Sequence, residues 1–114
     1  MGSRGPLGGV LCERIAAGSK CLVLYPRPQA KLVEFSSIDG LKVGQFGSGE
    51  LIEVASCFSA RRKLVDEGNP AGAKYDFILI HDIRPMERAA ALAIMGAFPE
   101  ADVLVAGFEA GPVL

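Results

Sequence analysis

The chain has 114 residues, half of them hydrophobic and 22% charged, with a formal net charge of −1. That length suits one domain with a hydrophobic core of its own, and the near-neutral balance excludes the basic field of a nucleic-acid binder and any acidic tail. Cys12, Cys21 and Cys57 form neither a C-x-x-C pair nor a ligand spacing with the lone histidine, His81, so they fit a reducing, cytoplasmic compartment and nominate no metal site.

Residues 1–9 hold four glycines and a proline, which predicts a flexible amino-terminal segment ahead of a single α/β domain over 10–114. No signal peptide is evident, no apolar run approaches the ~20 residues of a membrane span, and Pro6 stands where a myristoylation motif wants Ser or Thr. Residues 10–17 offer two helical turns, stopped by Gly18. Residues 20–25, Lys-Cys-Leu-Val-Leu-Tyr, read as a strand, ended by Pro26 and Pro28, which cannot donate to a ladder.

Residues 31–46 predict an antiparallel hairpin, because Asp39-Gly40 separates two partly alternating apolar runs. From Glu50 to Glu67 the spacing of Leu51, Val54, Phe58 and Val65 favours a helix ending at Gly68, while 51–58 taken alone also suits a strand. Asn69 to Ala73 is a loop by composition.

The segment from Tyr75 to Glu109 is the organising unit. Tyr75-Asp-Phe-Ile-Leu-Ile80 is a short run suited to a strand buried on both faces. Pro85 then occupies the first position of a helix, leaving Arg84 extended. The helix, 86–98, carries no charge after Arg88, so burial over most of its surface is expected. Pro99 ends it, and 102–108 supplies a further strand, closing a parallel βαβ unit. The expected fold is therefore α/β: a small mixed sheet with a carboxyl-terminal parallel βαβ unit and an antiparallel hairpin in the first half.

If strands near 43, 78 and 104 lie parallel, their carboxyl ends share the edge at which open α/β sheets bind ligands. The polar residues gathered there would be Gln45, Gly47, Ser48 and Gly49, then His81, Asp82 and Arg84, and finally Gly107 and Glu109. The glycines ahead of a helix suit an anion cradle or simply a tight turn. His81 and Asp82 are adjacent, so an extended backbone would aim them at opposite faces, while Asp82 and Arg84 could share one. Cys57 needs a lowered pKa, for example from Arg61 one turn on, to act as a nucleophile, and otherwise reads as a small buried hydrophobe.

Phe77-Ile-Leu-Ile80, a helical stretch, and Val105-Ala-Gly-Phe108-Glu-Ala-Gly-Pro112 resemble the end of the FIST sensory domain, whose carboxyl-terminal half closes on Gly-Phe-Phe-x-x-Gly-Glu-Ile-Gly-Pro. Only one of the two aromatics, Phe108, is present, the Gly-Glu-Ile step is missing, and the strand near 78 lacks that family's Ser-Cys and following Gly-Arg. The resemblance implies a small-ligand sensing module with the segment around Gly107 near the ligand.

The leading expectation is a non-catalytic domain that binds a small ligand or a partner chain, since no residues assemble into nucleophile, base and orienter. The second is an assembly subunit, a homo-oligomer formed through the apolar helix 89–98, the tail 111–114 or an edge strand over 103–108. A small enzyme using Cys57 or His81 is the third. The sequence names no cofactor and nominates neither nucleic acid nor a membrane as partner. An end two residues after Pro112 would suit a fragment as well as a whole chain.

Overall fold

A computed structural model describes residues 5–26, 50–69 and 72–106. Its first element is helix α1, Gly5–Ala16. It starts ahead of the position that the glycines and Pro6 suggest; proline in a first helical turn gives up only an amide that would be unpaired anyway. Gly18 terminates it as expected. With φ at +84°, it lets its own amide donate to Ile15 (2.9 Å) and that of Ser19 donate to Arg14 (3.0 Å), so two end carbonyls are satisfied by a left-handed cap.

Four strands follow: β1, Cys21–Leu24; β2, Ile52–Ala55; β3, Phe77–His81; and β4, Asp102–Ala106. They form one sheet in the order β2-β1-β3-β4, with every neighbouring pair parallel. The two central strands are apolar at every residue except His81, which ends β3, as burial on both faces requires.

The expected mixed sheet is thus overturned: the described sheet is parallel throughout. Parallel neighbours such as β1 and β2 cannot be joined by a tight turn and need a crossover, a constraint that the local Asp39-Gly40 signal does not carry. The residues assigned to the hairpin, 31–46, lie outside the described residues. The partner of β1 comes instead from 52–55, so both readings of 50–67 hold in part. A short strand runs directly into helix α2, Cys57–Arg61, which continues as a π-helical turn, Arg62–Asp66. Ser56 makes the change of structure possible, its Oγ accepting from the Ser59 amide at 3.1 Å as a helix amino-terminal cap does.

Beyond β3, a 3₁₀ turn, Pro85–Glu87, leads into helix α3, Arg88–Ala97. Arg84 is extended (φ −93°, ψ 161°), and its amide donates to Glu87 Oε1 at 2.7 Å. That bond satisfies the residue before the helix and fixes the entry of the chain. Burial of α3 is narrower than its composition suggests. Ala90, Ala91 and Ile94 are buried, whereas Leu92 is exposed and Met86, in the preceding turn, is 72% exposed. Alanine costs little on a wet face, so an alanine-rich stretch looks apolar all round while packing on one side only.

Two cores flank the sheet. Leu11 of α1 packs with Cys21, Val23, Tyr25, Ile52, Phe77 and Leu79. On the other face, Leu22, Leu24, Ala55, Ile78 and Ile80 meet Cys57, Ala60, Leu64, Ala90, Ala91 and Ile94 of the α2 and α3 layer. The alternation of adjacent residues between the two cores follows from the two-residue period of a strand.

Candidate functional site

The strand order reverses about β1, with β2 on one side and β3 on the other. In open parallel sheets, ligands bind at such a switch point, outside the carboxyl ends of the strands. Here that edge is formed by Tyr25 after β1, Ser56 after β2, and His81 and Asp82 at the end of β3. Tyr25 is fully buried, its amide donating to Ala55 at 3.0 Å. Its ring lies 4.7 Å from that of His81, centroid to centroid, which joins the two strand ends at the switch point.

Asp82 adopts φ of +56°, a left-handed backbone that side-chain-bearing residues seldom take and that Asp tolerates better than most. Its amide donates to the Ala106 carbonyl at 2.9 Å. This conformation breaks the extended backbone on which the expected opposition of His81 and Asp82, and a shared face for Asp82 and Arg84, both rested. Ile83, buried, anchors the next step, and Arg84 is exposed. His81, Asp82 and Arg84 therefore sit together at the carboxyl edge as a turn. Gln45, Gly47, Ser48, Gly49, Gly107 and Glu109 lie outside the described residues, as do the strand expected near 43 and the 107–112 part of the FIST resemblance.

Two hydrophobic side chains flank this edge on one side of the sheet. Phe58, in the first turn of α2, is 54% exposed, and Met86 stands in the turn that opens α3. Both helices begin where their preceding strands end, so their amino ends border the carboxyl edge.

Cys57 is buried, and burial, followed by the charge of Glu87, pushes its thiol up to about 12. That is the opposite of what a nucleophile needs. Cys21 is likewise pushed up to about 11 by burial, which outweighs the lowering by Arg14. Among the described residues no group of three or more His, Cys, Asp and Glu side chains could hold a metal ion, and no helix is long and apolar enough to cross a membrane.

A second polar cluster, absent from the sequence reading, lies at the opposite, amino edge. The Tyr75 hydroxyl donates to Glu53, which is 3% exposed, and Lys20 Nζ stands 3.9 Å from the same carboxylate and 5.4 Å above the Tyr75 ring. Burial, the bond to Glu53 and the charge of Glu53 all push the Tyr75 pKa up. The available signal was Glu53 itself, a lone charge inside the run Leu51–Phe58. The fold defines an all-parallel α/β domain whose strand order reverses at the carboxyl edge formed by Tyr25, Ser56, His81 and Asp82. No protein-family model matches the chain, and no curated protein matches it.

Proposed function

We propose that this chain is a non-catalytic, sensory-type α/β domain that binds a small ligand or a partner segment at the carboxyl edge between β1 and β3. The observation that carries the reading is the coincidence of the strand-order reversal with a left-handed Asp82. Strained backbone of this kind persists where the surroundings hold it, and it clusters at binding sites. Exposed Phe58 and Met86 beside the edge offer apolar contact for a ligand or a partner. The raised Cys57 thiol weighs against an enzyme built on that residue. All three cysteines are free thiols, which suits a reducing compartment such as the cytoplasm.

Amide NMR on the labelled chain, titrated with a pool of small fragments, tests the reading. Shifts concentrated at Tyr25, His81, Asp82 and Arg84 are expected. Shifts confined to the amino edge, at Lys20, Glu53 and Tyr75, would place binding elsewhere and overturn it.

A second reading, self-association, is favoured by β4. At one end of the described sheet, its residues Val103 to Ala106 are only half-buried. Oligomeric mass measured at two concentrations tests that reading directly.

A further inference from the structure

The backbone of β4 fixes which way its polar groups face. The Asp102 amide donates to Asp76 (2.9 Å), and the Ala106 carbonyl accepts from Asp82 (2.9 Å), so the even-numbered residues address β3. Backbone groups alternate along a strand. Val103 and Val105 therefore direct their amides and carbonyls away from β3, where the described residues supply no neighbouring strand.

From this we propose that β4 is a self-pairing edge: two copies of the chain join their β4 strands antiparallel, about a two-fold axis passing through Leu104. The proposal rests on the self-association reading and specifies its geometry. In that register Val103 faces Val105 of the other copy, and Leu104 faces its own symmetry mate. The two Val pairs fall where an antiparallel ladder exchanges both amide-to-carbonyl bonds, and the Leu104 pair falls at the closer, non-bonded position. The outward-facing groups of Val103 and Val105 are thus the ones the ladder consumes.

The side chains agree with the same register. Val103 and Val105 pack against the core under α2 and α3, while Leu104 packs against the core under α1. A two-fold axis perpendicular to the sheet keeps each face on its own side, so both cores extend across the junction. Charge does not oppose it. Asp102, the only ionisable residue of β4, faces Ala106 of the other copy and is held by Arg14 at 2.8 Å.

The two outer strands of the described sheet also differ in the devices that keep edges from pairing. Natural edges carry lysine, proline, a bulge or an inward charge. β2 bears the inward Glu53, whereas Val103 to Ala106 bear none of these. An isologous two-fold contact needs self-complementary surfaces, which Asp-Val-Leu-Val-Ala provides about its central leucine.

The test is sedimentation equilibrium of the full chain, with twice 12.0 kDa as the expected mass. Val103→Pro removes an outward donor and no bond to β3, as proline on an edge strand allows. Because the two-fold repeats the lost bond, dimerisation should weaken by at least about tenfold, with far-UV circular dichroism unchanged. Leu104→Cys should give a disulfide-linked dimer on mild oxidation, since facing residues of a non-bonded pair come within disulfide range. The unsubstituted chain and Leu92→Cys, exposed on α3, should not. A monomer at all concentrations overturns both this proposal and the self-association reading. A dimer indifferent to Val103→Pro and without a Leu104→Cys cross-link overturns the β4 pairing alone.

Discussion

The rings of Tyr25 and His81 meet at 4.7 Å with their planes tilted by 53°, so the first residue beyond β1 touches the last residue of β3 across the point where the strand order turns. A tilted aromatic pair of this kind contributes about 0.5–1.5 kcal/mol beyond its buried area. A double-mutant cycle on Tyr25→Leu and His81→Leu, read by urea denaturation, should return a coupling of that size. Strict additivity of the two single changes would show that the contact is incidental.

Asp82 invites a second measurement. Glycine takes a φ near +56° without cost, asparagine takes it readily, and a β-branched residue does not. Asp82→Gly and Asp82→Asn should leave stability within about 1 kcal/mol of the parent, while Asp82→Val should cost about 1–3 kcal/mol. Equal effects of glycine and valine would remove backbone strain from the account of this edge.

At the amino edge, Tyr75→Phe takes one donor from the buried carboxylate of Glu53. Leaving a buried charged acceptor short of a partner should cost about 1–3 kcal/mol. Combining Tyr75→Phe with Glu53→Leu should recover part of that loss, because the group left short of a donor is then gone. Thermal unfolding of the single and double variants decides it.

The pH dependence should be alkaline. Cys21 and Cys57 are held at about 11 and about 12, above their ordinary value of 9.0, and Tyr75 is pushed up from 10.0. Groups whose pKa is raised by folding favour the folded state while protonated. Their contribution is whole below pH 9 and declines as the pH climbs through 11 and 12. Stability against urea should therefore fall above pH 9, less steeply in Cys57→Ala. A flat profile from pH 8 to 11 would contradict it.

Thiol labelling separates the three cysteines. Cys12 is half-buried, whereas Cys21 and Cys57 are buried with raised pKa values. A thiol reagent at pH 8 should modify Cys12 first and reach the other two only as the chain unfolds. Rapid labelling of Cys57 in the folded protein would reopen the case for a reactive thiol there.

The parts of the fold that show in the sequence are those fixed locally. Pro85 after an extended Arg84, the stop at Gly18 and the loop at Asn69 each follow from a few adjacent residues, and the parallel unit from β3 to β4 follows from the helix legible between its two strands. The parallel pairing of β1 with β2 did not show, because it depends on residues far apart in the chain, and Asp39-Gly40 spoke only for its own neighbourhood. The change from strand to helix at Ser56 was hidden for a related reason: Leu51, Val54 and Phe58 fit a helical spacing, yet a serine cap divides them. At the site, His81 and Asp82 were visible as polar residues closing an apolar run. The left-handed turn at Asp82 is held in part by a bond to Ala106 in another strand, and no local pattern announces it.

Arg14 and Asp102 join the first described helix to the last described strand across most of the chain, and Leu104 packs in the same core as Leu11. Domains form during synthesis as their segments emerge from the ribosome, and contacts between distant segments come last and slowly. A nascent chain halted before β4 would carry α1 with its carboxylate partner and part of its apolar seat still missing. Stalled or truncated products should therefore be open to proteases at α1, and completion of β4 is the step that seals that helix.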